Sequence, residues 1–214
     1  PRAIVQGRIV YQGKDLLALD NKEMRSVRGR EISMVFQDPM TSLHPMLTVG
    51  KILTAQLRHH FGVGKAEARR RAVEMLAEVR IPDPEGSLAS FPHQFSGGMR
   101  QRIAIAGALM CRPKLLIADE PTTALDVTVQ AGVIGLLERL QRENGLSVVL
   151  ITHDLGVMSA AADRLTVMYA GRIVESGTTA RVLQQPQHPY TEGLLAALPQ
   201  PDRSDDELVP IPGS

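Results

Sequence analysis

Two adjacent carboxylates, Asp119 and Glu120, follow a short apolar run and could carry out the hydrolysis of a nucleotide. Transfer of a phosphoryl group to water needs a metal that neutralises phosphate charge and a group that orients or deprotonates the water. Because neighbouring residues at a strand end diverge, one carboxylate can reach the metal while the other faces the γ-phosphate. We assign Asp119 to Mg²⁺, through water, and Glu120 to the general base. The alternative is a solvated Asp-Glu turn before Pro121.

A Ser-Gly-Gly turn formed by Ser96, Gly97 and Gly98 precedes a predicted helix upstream of these carboxylates. Serine is a frequent helix N-cap, so plain capping is one interpretation. Two successive glycines, however, cost a helix start roughly 1 kcal/mol each relative to alanine. Their expected use is to let backbone N–H groups approach an anion closely, which indicates a phosphate-binding turn. Gln101 lies one turn further along the same helix.

Two further polar residues, Gln37 and His153, lie at or just beyond the ends of predicted strands. Parallel sheets carry their chemistry at the carboxyl ends of the strands, so these residues and the two carboxylates point to one site. Gln37 could bind Mg²⁺ or the attacking water, or merely close its strand. His153 could sense a γ-phosphate, or act only as a cap or a hydrogen-bonded structural group.

The composition argues against several other classes of protein. A formal net charge of +1 does not suit a dominant basic surface for nucleic acid, and 3% aromatic residues do not suit stacking platforms. The single cysteine, Cys111, excludes a disulfide framework and is interpreted as core filler. No apolar run approaches the ~20 residues that span a bilayer, so any membrane role must come through a partner.

Hydrophobic periodicity predicts an α/β fold with a mostly parallel sheet. Predicted strands cover residues 31–37, 114–118, 147–152, 164–169 and 172–175, the third of them buried and the last two forming a hairpin. Predicted helices cover residues 65–80, 126–142 and 154–162, and an Asp20-x-x-Glu23 signal starts a shorter one. Residues 48–111 show helices and turns without a convincing strand.

Taken in order, these motifs resemble the ATP-binding subunit of ABC transporters, specifically the oligopeptide, dipeptide and nickel importer group. Residues 95–101 are similar to the ABC signature, and residues 115–120 to the Walker B strand with its catalytic glutamate. Residues 124–126 are similar to the D-loop, Gln37 to the Q-loop glutamine and His153 to the switch histidine. Outside these motifs, residues 36–43 and the His-Pro-Tyr stretch within residues 187–191 are similar to peptide-importer ATPases.

The resemblance implies a P-loop NTPase-like (ABC ATPase) fold with an inserted all-helical subdomain. The nucleotide-binding core would comprise residues 1–38 and 113–183, and the helical subdomain residues 39–112, which carry the signature. Residues 184–214 would form a C-terminal segment typical of peptide importers. No G-x-x-x-x-G-K-[ST] phosphate loop (Walker A) occurs in the chain. We therefore expect an N-terminally truncated fragment that starts just after that loop, cannot hold ATP alone, and is unstable or aggregates.

The resemblance also implies the cofactors ATP and Mg²⁺ and the residues that would contact them. Glu120 and His153 would be catalytic, and Asp119 and Gln37 would serve the metal. The residues expected to contact the nucleotide are Gln37, Ser96, Gly97, Gly98, Gln101, Asp119 and Asp126.

The implied function is that of the motor of a peptide or nickel importer, coupling ATP hydrolysis to solute uptake. Two such subunits, identical or different, would face head to tail and sandwich each ATP. Transmembrane permease subunits would hold them peripherally at the cytoplasmic face of the bacterial cell membrane, and an extracytoplasmic solute-binding protein would act indirectly. The alternatives are a non-transport ABC ATPase, for which no basic arm or coiled-coil insertion is visible, and a non-catalytic cassette that pairs with a complete partner. No nucleic-acid partner is expected.

Overall fold

The computed structural model describes residues 5–123 and 125–197, which belong to two units, Pro1–Ile151 and Thr152–Ser214. Ala124 of the predicted D-loop and residues 198–214 of the predicted C-terminal segment lie outside the described residues. None of the helices in the described part of the chain has the length and apolar character needed to cross a membrane.

The first unit alternates short strands with helices. Its elements are β1 (Val10–Tyr11), β2 (Lys14–Asp15), a 3₁₀ turn (Leu16–Ala18), α1 (Asn21–Val27), β3 (Ile32–Val35), α2 (Pro39–Ser42), α3 (Val49–Phe61), α4 (Lys65–Glu78), α5 (Pro84–Ser87), a second 3₁₀ turn (Pro92–Gln94), α6 (Gly97–Leu109), β4 (Leu115–Asp119), α7 (Val127–Asn144) and β5 (Ser147–Ile151).

A parallel sheet with strand order β3-β4-β5 lies at the centre of this unit. Val35 pairs with Ala118, and Ala118 pairs with Leu150, which confirms the predicted parallel strands. Side chains alternate between the two faces of a sheet. The face that carries Val35, Leu116 and Ala118 is buried in the main core together with residues of α6 and α7. Helices packed on this face therefore hold the ends of β3 and β4 in place from one side.

The opposite face of the same sheet is open. Met34, Val149 and Ile151 are 36%, 48% and 46% exposed, although all three are large and apolar. Residues 147–151 form the predicted strand, but the prediction that this strand is buried is wrong. An apolar run alone cannot tell whether both faces of a strand are covered.

The helices between β3 and β4 contribute to the same core as the sheet. No strand occurs among residues 39–112, all of which the structure describes, as the periodicity predicted. Helix α4 ends at Glu78, two residues before the predicted end, because Arg80 adopts a left-handed conformation with φ 59°. Arg71 pairs with Glu67 at 2.6 Å, and Arg70 pairs with Glu74. These arginines of α4 therefore form a solvated, ion-paired helix face.

Helix ends follow the predicted capping chemistry. Asp20 and Glu23 form the reciprocal capping box of α1. Asp126 caps α7 by accepting a hydrogen bond from the backbone N–H of Val129, and Gly145 ends that helix at φ 62°. These local signals set where the helices next to the sheet begin and end.

The second unit contains a hairpin and three helices among its described residues. Its elements are α8 (Leu155–Ala161), β6 (Arg164–Tyr169), β7 (Arg172–Thr178), α9 (Thr179–Gln184) and α10 (Pro189–Ala196). Strands β6 and β7 pair antiparallel, which confirms the predicted hairpin. Leu165, Val167 and Val182 form a small core of their own.

The His-Pro-Tyr stretch attaches α10 to this hairpin. His188 caps α10 by accepting from the N–H of Tyr190, whose ring lies 4.5 Å from that of Tyr169. The Glu175 carboxylate of β7 accepts hydrogen bonds from the backbone N–H groups of Gln187 (2.9 Å) and His188 (3.2 Å). The stretch therefore has a local structural task, which is to fasten the entry of α10 to β7.

Candidate functional site

Gln37 and Glu120 meet where strands β3 and β4 end. Each lies two residues beyond the Val35–Ala118 pair, so the parallel register places them at the same height. The Gln37 Nε2 donates a hydrogen bond of 2.8 Å to Glu120 Oε2, across 83 residues of sequence. The sequence placed both residues at strand ends, and the structure brings them into direct contact.

The backbone of Glu120 has an unusual conformation. Its φ is 44°, in the left-handed region that costs a non-glycine residue on the order of 1 kcal/mol or more. Its N–H donates a hydrogen bond of 2.8 Å to the carbonyl of Ile151 in β5. This hydrogen bond continues the pairing of β4 with β5 by one residue past the end of β4. The chain then turns, with the Thr123 N–H donating to the Glu120 carbonyl at 3.2 Å. Glu120 is thus fixed at the junction of strand and turn.

Thr123 is a contact of the site that the sequence analysis missed. Its hydroxyl donates a hydrogen bond of 2.8 Å to Glu120 Oε2, the oxygen that also accepts from Gln37. The only signal in the sequence is a hydroxyl residue three positions after the carboxylate, at a spacing that a tight turn brings together. The Glu120 carboxylate is held by donors from two separate segments of the chain.

Asp119 lines an open pocket together with Phe36, Gln37 and Asp38, with a volume of about 390 Å³. Mg²⁺ prefers oxygen ligands and commonly takes one or two carboxylates, with phosphates and water completing its shell. The Asp119 carboxylate and the Gln37 amide are of this kind, so the residues present fit the predicted metal. Asp38 was not predicted; it also caps α2 by accepting from the N–H of Met40 at 2.8 Å.

The Ser-Gly-Gly turn forms the start of α6, as predicted. Ser96 is exposed and caps the helix by accepting from the N–H of Met99. A Cβ on Gly98 would lie 2.4 Å from Cγ1 of Val129 in α7, whereas one on Gly97 would meet nothing closer than 3.7 Å. Gly98 is therefore required for close packing of α6 on α7, a reason separate from the approach of an anion.

One turn further along α6, Gln101 is buried and Arg102 is half-buried. Gln101 is only 2% exposed, so its predicted contact with nucleotide stays a prediction that this packing does not favour. The Arg102 guanidinium donates to the Val79 carbonyl at 3.2 Å. Burial, followed by the nearby charges of Arg80 and Arg139, holds the pKa of Arg102 below its ordinary value. Arg102 therefore serves the packing of α4 against α6.

Asp126 and His153 complete the predicted set. The exposed Asp126 caps α7, and the Gly98–Val129 packing joins the starts of α6 and α7. His153 belongs to the second unit and is exposed. The next residue, Asp154, caps α8 by accepting a hydrogen bond of 2.8 Å from the N–H of Gly156. The roles of Asp126 and His153 toward a nucleotide stay predictions.

Two family models match this chain. The model described as ABC transporter matches residues 2–123, and the one described as oligopeptide/dipeptide transporter, C-terminal region, matches residues 174–214. The dipeptide transport ATP-binding protein DppD of Bacillus subtilis is 55% identical over 211 residues, covering 99% of this chain and 63% of the relative. The oligopeptide transport ATP-binding protein OppD of the same organism is 54% identical over 215 residues, covering 100% of this chain and 60% of the relative. The chain thus spans less than two thirds of these relatives.

Solved structures support the same fold. The ATP-binding cassette MJ0796, in a dimeric post-hydrolysis state bound to ADP and Pi, matches with a TM-score of 0.72 and 30% identity, covering 81% of this chain and 74% of that one. The cbiO1 protein of Clostridium perfringens, part of the transporter complex cbiONQ, matches with a TM-score of 0.73 and 29% identity. It covers 84% of this chain and 69% of the cbiO1 chain.

Proposed function

Because this chain belongs to the ABC transporter family, we propose that it is the ATP-hydrolysing subunit of an importer for peptides. The names of the relatives favour dipeptides or oligopeptides over nickel as the cargo. The observation that carries the proposal is the hydrogen bond from Gln37 to Glu120, beside the pocket that Asp119 lines. It puts a candidate base and candidate metal ligands at one edge of the sheet.

In this proposal Glu120 is the general base. A carboxylate held by the Gln37 amide and the Thr123 hydroxyl is oriented to take a proton from water that attacks a γ-phosphate. Asp119 and Gln37 would hold Mg²⁺, which when bound supplies positive charge against the phosphate oxygens. His153 would contact the γ-phosphate, as its likeness to the switch histidine implies.

A second ATP-binding subunit, identical or different, would complete each site. Ser96 and Asp126 are exposed at the starts of α6 and α7, which pack together through Gly98 and Val129. These two turns can therefore face one partner, and the similar cassette MJ0796 is described as dimeric. Permease subunits would hold the pair at the cytoplasmic face of the membrane, and a solute-binding protein outside would deliver the cargo.

The phosphates of ATP need a cradle, and residues 1–214 contain no match to G-x-x-x-x-G-K-[ST]. We therefore expect ATP affinity and hydrolysis to need a phosphate-binding loop that residues 1–214 do not contain. The test compares Mg²⁺-dependent ATP binding and hydrolysis by the 214-residue chain with those of a version extended upstream to its natural start.

Hydrolysis by the extended version alone would support the proposal. If neither version hydrolyses ATP but this chain binds a complete cassette, the non-catalytic alternative would be favoured. Hydrolysis by the short chain would mean that another segment cradles the phosphates, and the expectation about the loop would be wrong. Tight, salt-dependent binding to DNA or RNA would instead favour a non-transport ATPase.

A further inference from the structure

The Thr123 side chain makes a hydrogen bond that the turn around it does not need. The turn is closed by backbone groups, with the Thr123 N–H donating to the Glu120 carbonyl at 3.2 Å. The hydroxyl donates instead to the Glu120 carboxylate, Oε2, at 2.8 Å. The turn alone therefore does not account for the contact between this hydroxyl and the carboxylate.

A general base must be held in one direction to be effective. Glu120 has a long side chain with several rotatable bonds, so contacts from other groups are needed to hold its carboxylate in one direction. Gln37, another donor to Oε2, lies just beyond a different strand and is itself a candidate metal ligand. Thr123 comes from the same turn as Glu120, so its distance from the carboxylate is set locally.

We infer that Thr123 is a positioning residue for the reaction, whose hydroxyl orients the Glu120 carboxylate toward the attacking water. The inference rests on the proposed function, in which Glu120 is the base. Thr123 does not touch the reacting atoms and acts only through Glu120. A serine supplies the same hydroxyl, whereas valine keeps the shape of threonine and removes the donor.

The test measures steady-state hydrolysis by the upstream-extended protein. Thr123→Val is expected to lower kcat by about 10- to 100-fold, because small misplacements of a catalytic group cost this much. The KM for ATP should stay within about twofold, because Thr123 contacts Glu120 and not the nucleotide, so that kcat and kcat/KM should fall equally. Thr123→Ser should retain most activity. Thr166→Val makes the same change at an exposed strand residue of the second unit and should have no effect.

A double variant separates positioning from other roles. In a Glu120→Gln background, Thr123→Val should cost nothing further, because residues that act as a unit are not additive. Additive losses, a change in KM alone, or failure of Thr123→Ser to restore activity would overturn the inference. Full activity of Thr123→Val with an inactive Glu120→Gln variant would also overturn it and leave the proposed function intact. Near-normal turnover by Glu120→Gln would instead remove the base on which both rest.

Discussion

The Gln37 amide donates a 2.8 Å hydrogen bond to the carboxylate of Glu120, and so links the ends of two neighbouring parallel strands. An amide side chain has a donor nitrogen and an acceptor oxygen, so Gln37 can contact a base and a cation with different atoms. The side chain of Gln37 would therefore connect the candidate base to the candidate metal site. Movement of the loop that begins at Gln37 would change this hydrogen bond and with it the position of the Glu120 carboxylate.

Replacing Glu120 by glutamine should stop hydrolysis and spare nucleotide binding. The amide keeps the shape of the side chain but cannot accept a proton, so turnover by the upstream-extended protein should fall by roughly 10²–10⁴-fold. Hydrolysis and ATP binding would be measured side by side. Glu143→Gln, which removes a surface partner of Arg139, is the control and should stay near wild type. Normal turnover by Glu120→Gln would exclude Glu120 as the base.

Replacing Gln37 by alanine should weaken the response to Mg²⁺ as well as the rate. The change removes a proposed metal ligand and one donor to Glu120, so we expect lower kcat and a higher Mg²⁺ concentration at half-maximal activity. A titration of hydrolysis against Mg²⁺ measures both. Gln184→Ala, at an exposed position of α9, is the matched control. An unchanged Mg²⁺ midpoint would argue that Gln37 is not a metal ligand.

Alanine should be tolerated at Gly97 and not at Gly98. The added Cβ at Gly98 would lie 2.4 Å from Val129, and such overpacking typically costs about 1–3 kcal/mol of stability. Chemical unfolding of Gly98→Ala, Gly97→Ala and the wild type measures the difference. Adding Val129→Ala to Gly98→Ala should recover part of the loss, because it removes the clashing methyl groups. Equal stability of the two glycine variants would contradict the packing role of Gly98.

Much of the site follows from local or periodic signals in the sequence. Asp126 could be predicted as a cap because a cap depends on neighbouring residues, and Gln37 could be placed near Glu120 because parallel strands end together. The hydroxyl contact of Thr123 could not, because a hydroxyl three positions after a carboxylate does not by itself show how the chain turns between them. The burial of Gln101 depends on tertiary packing, which a helical motif does not reveal.

The open face of the sheet should make the 214-residue chain self-associate. Met34, Val149 and Ile151 are exposed apolar residues on that face, with Ile117 of β4 between Met34 and Val149, and exposed apolar surface promotes aggregation. Light scattering against concentration should show association that a Val149→Thr/Ile151→Thr variant reduces. Val148→Thr, on the packed face, should lower stability without reducing association. A soluble wild-type monomer with a cooperative melt would contradict this prediction.

The attachment of α10 to the hairpin should weaken in acid. The pKa of Glu175 lies below its ordinary 4.5 because the Thr191 hydroxyl lies near its carboxylate and the backbone N–H groups of Gln187 and His188 donate hydrogen bonds to it. A carboxyl with a depressed pKa in the folded state stabilises it at higher pH. That contribution is lost as pH falls below about 4.5 through the lower folded value. Thermal unfolding between about pH 6 and pH 3 should show the loss, and Glu175→Gln should flatten it. The control is Glu192→Gln, in the first turn of α10, which should leave the pH dependence of thermal unfolding as in the wild type. If Glu175→Gln also keeps the wild-type pH dependence, the Glu175 carboxylate does not fasten the segment.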